Sequence, residues 1–260
     1  MAALTHQLSS LSAAHATLIA LAGLGAGIFN GVAGGGSLIS FPLLLALGYP
    51  ARTANITNTV GIWPGYLGSA AGFRTEIADQ KGRLARLSPV AVAGGVIGAI
   101  LLLTTSSALF ARLAPYLILG AAALFAAQPL LRRALDGASS TSRTRSVLLT
   151  GGTFGASIYG GYFGAGMGVM LLAILGLALP DSITRTSGLR TVLSIMVNGV
   201  AAAVFLVHRG LAWQAVGWLA LGSVVGGWIG ARVALSIPAW ALRAVVILIG
   251  VGTAVKLLFF

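Results

Sequence analysis

The sequence predicts an all-α polytopic membrane protein built from two inverted repeats. Three observations predict it: the composition, apolar runs long enough to cross a bilayer, and an internal repeat at 130 residues. Of the 260 residues, 57% are hydrophobic and 8% are charged, and the mean hydropathy is +0.97. Soluble domains carry about 25% charged residues. Most of this surface is therefore expected to face lipid.

Charged residues divide the chain into a tail, two transmembrane repeats and a linker. In chain order these are an N-terminal tail (1–15), a first repeat (16–131), a basic linker (132–146) and a second repeat (147–260). After its opening stretch, each repeat contains three further apolar segments. Each of these is about the length of one spanning helix.

Each repeat opens with an uncharged stretch of about 35 residues, which exceeds one spanning helix and falls short of two. Glycine clusters lie near the middle of these stretches: Gly34, Gly35 and Gly36 in the first, and Gly164 and Gly166 in the second. We expect two short helices that meet at a glycine-lined break, either re-entrant or fully spanning. Irregular backbone at that depth requires surrounding protein or a water-filled cavity. The clusters therefore predict a cavity, unless they serve only close helix packing.

The two repeats are copies of one another. A shift of 130 residues aligns nine identities in 26 positions, where this composition gives about three by chance. Gly34 and Gly36 fall on Gly164 and Gly166. The sequence therefore contains an internal duplication.

Loop charge predicts how the repeats are oriented. The basic loops, 74–87 and 132–146, are separated by two helices and lie on one side, which the positive-inside rule makes cytoplasmic. Each repeat then crosses the membrane an odd number of times, so the repeats are antiparallel. Both termini are expected on the outer side. Inverted repeats with broken helices are typical of secondary transporters.

A polar run follows each opening stretch. In the first repeat the run contains Asn55, Thr57 and Asn58, and in the second it contains Arg185, Ser187 and Arg190. Helix starts carry free N–H groups and partial positive charge, which suit an anion. Hydroxyl, amide and guanidinium groups add hydrogen-bond donors, and Arg offers a planar fork to an oxyanion. The two runs therefore predict an anion site, with Ser37 and Tyr159 beside the breaks as further lining residues.

Each of these side chains also has a purely structural interpretation. Thr57 and Ser187 could bond carbonyls of their own helix, and Asn55 and Asn58 could cap a helix start. Arg185 and Arg190 could anchor the helix at the membrane interface. The residue types alone leave these alternatives open.

Several function classes are excluded or disfavoured. The chain has four acidic residues, at positions 76, 79, 136 and 181, all in loops or at segment ends, which argues against a cation carrier or a carboxylate proton relay. With no Cys and three scattered His, no metal site, cofactor or catalytic dyad is predicted, and the chain is not expected to be an enzyme. The net charge of +12 is assigned to loop orientation rather than to nucleic-acid binding.

The chain also resembles a known family. The residues that carry the resemblance are Gly27 to Ser37, Pro42, Leu47 and Gly48, the run 54–59, Gly161 to Gly166, and Thr186 with Ser187. Together they resemble both repeats of the TauE/SafE sulfite exporter family. The resemblance implies a bacterial inner-membrane permease for sulfite, sulfonates such as sulfoacetate, or related small sulfur anions. It maps the family's small hydroxyl residue onto Thr57 and Ser187.

The combined prediction is a secondary transporter that exports or exchanges a small sulfur-containing anion at a central site between the repeats. Asn55, Asn58, Thr57, Ser187 and Arg185 are expected as ligand donors, with Arg190 as electrostatic support. The expected partners are that anion and the lipid bilayer, without nucleic acid, and a homodimer is left open. An anion channel and a membrane subunit of a larger complex are the alternatives.

Overall fold

The computed structural model describes residues 11–32, 34–135, 142–179, 181–207, 210–233 and 239–259. Within these ranges the chain forms eleven α-helices and no strand. In chain order they are α1 (Ala13–Val32), α2 (Ser37–Ala46), α3 (Ala51–Gly72), α4 (Arg74–Ala78), α5 (Lys81–Thr104), α6 (Ser107–Leu135), α7 (Ser142–Tyr162), α8 (Met167–Ala178), α9 (Ile183–Leu206), α10 (Trp213–Val233) and α11 (Ala239–Phe259).

Five helices in the described ranges are long and apolar enough to cross a membrane, namely α1, α5, α6, α9 and α10. This confirms the predicted all-α polytopic class. Helix α3 has 22 residues and carries the first polar run, which is buried against protein from Ala54 to Thr59. That burial keeps its amides and hydroxyls away from lipid, where unpaired polar groups are costly.

Each repeat opens with a broken hairpin, α1–α2 or α7–α8. The first legs have 20 and 21 residues, and the second legs have 10 and 12. At a rise of 1.5 Å per residue, the first legs are about 30 Å long and the second legs are under about 20 Å. The hairpin is therefore one full-length helix followed by one short helix, rather than the two short helices expected.

The two breaks share one backbone geometry. Gly34 has φ +80° and Gly164 has φ +81°. The N–H of Gly34 donates to the carbonyl of Phe29 at 2.9 Å, and the N–H of Gly164 donates to that of Tyr159 at 3.3 Å. The shift of 130 residues places Gly34 on Gly164 and Phe29 on Tyr159. The left-handed φ favours glycine, because a Cβ in that region costs about 1–2 kcal/mol.

Each hairpin begins and ends at the same end of the helix bundle. Leu11 before α1 and Tyr49 after α2 line one cavity of about 290 Å³ together with the start of α10. At the second hairpin, the Arg86 guanidinium donates to Ser146 near the start of α7. Arg83, one turn earlier on α5, pairs with Asp181 just after α8.

The third helices of the two repeats, α3 and α9, run antiparallel. Trp63 Nε1 in the middle of α3 donates to the carbonyl of Ile195 on α9 at 3.1 Å. Phe73, after the end of α3, packs against Gly188 near the start of α9. The first hairpin therefore enters from the end where α3 starts, and the second from the end where α9 starts.

Glycine contacts join the two repeats, because one helix of each repeat packs against a helix of the other. Gly27 of α1 meets Gly227 of α10, and Gly98 of α5 meets Gly161 of α7. At both contacts a Cβ would overlap the backbone of the neighbouring helix. Small residues allow this approach, which supplies packing energy where lipid offers no hydrophobic drive.

The helix bounds extend into the predicted tail and linker. α1 begins at Ala13, α6 continues to Leu135, and α7 begins at Ser142. Residues 1–10 of the tail, 136–141 of the linker and Pro180 lie outside the described residues.

Candidate functional site

A buried guanidinium lies at the first glycine break. Arg190 lies two turns into α9 and is only 1% exposed. Its Nη2 donates to the carbonyl oxygens of Asn30 at 3.1 Å and Gly31 at 3.3 Å, in the last turn of α1. Carbonyls in a last helical turn lack partners within their helix and carry partial negative charge. Arg190, which belongs to the second repeat, therefore caps the C-terminal end of α1 in the first repeat.

No acidic side chain in the described residues pairs with Arg190. Of the chain's four acidic residues, Glu76 and Asp79 lie in or just after α4, and Asp181 lies before α9. Asp136 lies outside the described residues. The partial charge of the α1 terminus offsets about half an elementary charge. A net positive charge remains at the break.

One edge of the guanidinium lacks a hydrogen-bond partner. Nη1 of Arg190 is buried and has no hydrogen-bond partner. A Cβ at Gly34 would stand 2.8 Å from this nitrogen and 2.7 Å from the Cα of Gly168. A side chain at position 34 would therefore collide with this nitrogen, at the point where the break of one repeat meets the short helix of the other.

A chain of hydrogen bonds continues from Arg190 through the break to α3. The Asn30 side-chain oxygen accepts from the N–H of Gly36 at 2.8 Å. Ser40 donates to the Asn58 side-chain oxygen and also contacts the Gly36 carbonyl at 3.3 Å. The amide nitrogens of Asn30 and Asn58 are buried without a partner. The buried side-chain groups at the first break that lack a hydrogen-bond partner are therefore all donors.

The second break is bridged by its own contacts, and its buried atom without a hydrogen-bond partner is an acceptor, Asn55 Oδ1. Asn55 Nδ2 donates to the carbonyl of Tyr162, the last residue of α7, at 3.0 Å. The Tyr159 hydroxyl donates to the Ala165 carbonyl at 2.7 Å. The Phe163 ring packs edge-on against Phe41 of α2. Asn55 thus caps α7 as Arg190 caps α1, but with a neutral amide.

The structure brings about half of the sequence-predicted residues to the first break. These are Gly34, Gly35, Gly36, Ser37, Asn58 and Arg190. Four others lie at the second break: Asn55, Tyr159, Gly164 and Gly166. Ser37 is buried at the start of α2, and Gly35 lies directly against the ring of Phe125.

Arg185, Thr57 and Ser187 have other partners. Arg185 Nη1 lies 3.5 Å from Asp79 Oδ2, and its Nε lies 3.6 Å from Asp181 Oδ1. Its side chain is 38% exposed at the end of the bundle where α9 starts. Thr57 Oγ1 accepts from the N–H of Ala212 at 3.2 Å. The buried Ser187 lies near Arg190, and its carbonyl accepts from Thr191 of the same helix.

Two residues of the site were missed by reasoning from the sequence, Asn30 and Ser40. Both are polar and stand alone in the first apolar opening stretch. That isolation was the available signal, because an amide or hydroxyl buried in such a helix needs a partner.

Comparisons with known proteins identify the family. The family described as Sulfite exporter TauE/SafE matches residues 19–257. A probable membrane transporter protein of Haemophilus influenzae is 26% identical over 243 residues, covering 91% of this chain and 92% of that protein. The probable membrane transporter protein YfcA of Escherichia coli K12 is 22% identical, covering 90% and 86%. No solved structure matches the chain.

The match extends through both repeats and includes both glycine breaks. The described helices include five that can cross a bilayer. The chain therefore belongs to the sulfite exporter TauE/SafE family and is a multi-pass membrane transporter.

Proposed function

We propose that this transporter carries a small sulfur-containing anion, such as sulfite or a sulfonate, and binds it at the first glycine break. The observation that carries the proposal is the buried guanidinium of Arg190, whose Nη1 has no partner. A buried charge without a counter-charge is strongly destabilising. An ionisable residue kept inside a membrane protein is accordingly a functional residue until shown otherwise.

The donors around the break favour an oxyanion as the missing partner. Arg190 would present its open edge, and Asn30 and Asn58 would present their free amide nitrogens. Hydrogen bonds to a charged group are roughly twice as strong as those between neutral groups. No chemical change of the anion is required, so the proposed activity is transport and not catalysis.

The proposed transport cycle uses the two repeats as moving bodies. Hairpins that enter from opposite ends, with the break of the first at Gly34 in contact with the short helix of the second at Gly168, suit alternating exposure of one site by rocking of inverted repeats. The positive-inside rule gives the end with Arg83 and Arg86 to the cytoplasm. Both termini would then lie outside, with the protein in the bacterial inner membrane. The cycle would export or exchange the anion.

Proteoliposome transport tests the site assignment. Uptake of labelled sulfite by the wild type is compared with Arg190→Gln, Arg190→Lys and the control Arg232→Gln. Arg232 is exposed at the end of α10, with its guanidinium 3.5 Å from the ring centre of Trp228, and its loss should leave uptake intact. Losing a hydrogen bond to a charged group costs about 1.5–3 kcal/mol, so Arg190→Gln should bind roughly tenfold to a hundredfold more weakly.

Arg190→Lys keeps the charge and loses the planar fork, so an intermediate rate is expected. Each variant is first compared with the wild type by gel filtration and thermal unfolding, which separates loss of transport from loss of folding. Undiminished sulfite uptake by a folded Arg190→Gln variant would refute the site. Counterflow of labelled sulfite against internal unlabelled sulfite tests exchange directly.

A further inference from the structure

We infer that the first break selects a monovalent oxyanion and rejects a divalent one of the same size. This inference rests on the proposed anion transport and adds a charge rule to it, under which sulfite would bind as its monovalent form, hydrogensulfite. The rule comes from the number of full charges that the break supplies, which is one.

Arg190 is the one charged residue among the buried side chains of the described ranges. Arg52, at the start of α3, donates from Nη2 to the carbonyl of Leu103 at 2.8 Å, near the end of α5, and its Nε is buried without a partner. Arg185 is held by Asp79 and Asp181. Neither of these guanidinium groups is hydrogen-bonded to a residue of the first break.

The remaining donors at the break are neutral. The free groups are Nδ2 of Asn30 and Nδ2 of Asn58, and both are carboxamides. Amide dipoles solvate an oxyanion but do not cancel its net charge. A monovalent anion beside Arg190 leaves the loaded site neutral, whereas a divalent anion leaves one negative charge unpaired in a water-poor interior, which is strongly unfavourable.

The helix ends at the break do not change this count of one full charge. The carbonyls of Asn30 and Gly31 end α1 at the guanidinium and carry partial negative charge. They already draw on the positive charge of Arg190. The start of α2 at Ser37 lies at the same break and carries the opposite partial charge. The two helix ends therefore roughly cancel, and about one unit of charge is left for a ligand.

Methanesulfonate and sulfate provide a matched pair for the test. Both have tetrahedral sulfur, and a methyl group in one replaces an oxygen and one negative charge in the other. Binding to the detergent-purified wild type is measured by thermal shift and titration calorimetry, at equal ionic strength. We expect methanesulfonate to raise the unfolding temperature and to bind more than about tenfold tighter than sulfate.

Arg190→Gln controls for the location and should lose the shift with methanesulfonate. Sulfate binding as tight as methanesulfonate, abolished by Arg190→Gln, would overturn the charge rule while leaving an anion site at the break. If the wild type neither binds methanesulfonate nor transports sulfite, the proposed function and the charge rule both fail. Tighter binding of methanesulfonate that persists in a folded Arg190→Gln variant would also overturn the inference.

Discussion

Arg190 Nη2 donates to the carbonyl oxygen of Asn30 at 3.1 Å, although the two residues are 160 positions apart in the chain. This bond joins the third helix of the second repeat to the broken helix of the first. Any movement that separates the repeats must therefore alter the environment of the buried guanidinium. The position of this buried charge is thereby linked to the relative position of the repeats.

Gly34→Ala should abolish transport, because its Cβ would meet both Nη1 of Arg190 and the backbone of Gly168. Gly48→Ala is the matched control, since Gly48 has φ +84° and nothing within 4 Å of its Cβ position. Both substitutions carry the left-handed backbone cost of about 1–2 kcal/mol. Sulfite uptake and unfolding temperature are measured for both. Equal transport by the two variants would contradict the role of Gly34.

Asn30→Asp should suppress anion binding without unfolding the protein. The new carboxylate would keep an acceptor for the N–H of Gly36 and would add negative charge beside the guanidinium bound by the Asn30 carbonyl. An internal counter-charge competes with the ligand for Arg190. We expect a loss of anion affinity of about tenfold or more, read by calorimetry with methanesulfonate. Asn30→Ala should lose less, and the reverse order would count against the electrostatic explanation.

Asp181→Asn should lower stability more than Asp79→Asn. Asp181 accepts contacts from both Arg83 and Arg185 and its side chain is 12% exposed, whereas Asp79 is 70% exposed and faces Arg185 alone. We expect a cost of about 1–2 kcal/mol for Asp181→Asn and below about 1 kcal/mol for Asp79→Asn. Thermal unfolding in detergent at low and high salt checks the order. A larger loss for Asp79→Asn would contradict it.

Gly98→Ala should destabilise the bundle, and Gly155→Ala should not. A Cβ on Gly98 would overlap the carbonyl of Ile158 on α7, while nothing lies within 4 Å of the Cβ position of Gly155. In an open helical position, Ala is favoured over Gly by up to about 1 kcal/mol. Unfolding temperatures should therefore shift in opposite directions. A fall of the same size in both would argue against the α5–α7 contact.

The sequence alone predicted the membrane class, the duplication and the position of both glycine breaks. These features are local, since hydropathy, composition and glycine spacing act along a single helix or between adjacent ones. The shared φ of Gly34 and Gly164 follows from the same two clusters. The lengths of the hairpin legs were not predictable, because an uncharged stretch carries no charge to mark where the chain reverses.

Only the tertiary structure separated the roles of Arg185 and Arg190. The two residues are five positions apart on one helix, and the sequence predicted Arg185 as a ligand donor with Arg190 as electrostatic support. Arg185 lies within reach of carboxylates 106 and 4 positions away, whereas Arg190 reaches the end of α1. The role of a buried charge depends on the groups around it, which come from distant parts of the chain. Their electrostatic energy depends on their distances from the charge and on the exclusion of water.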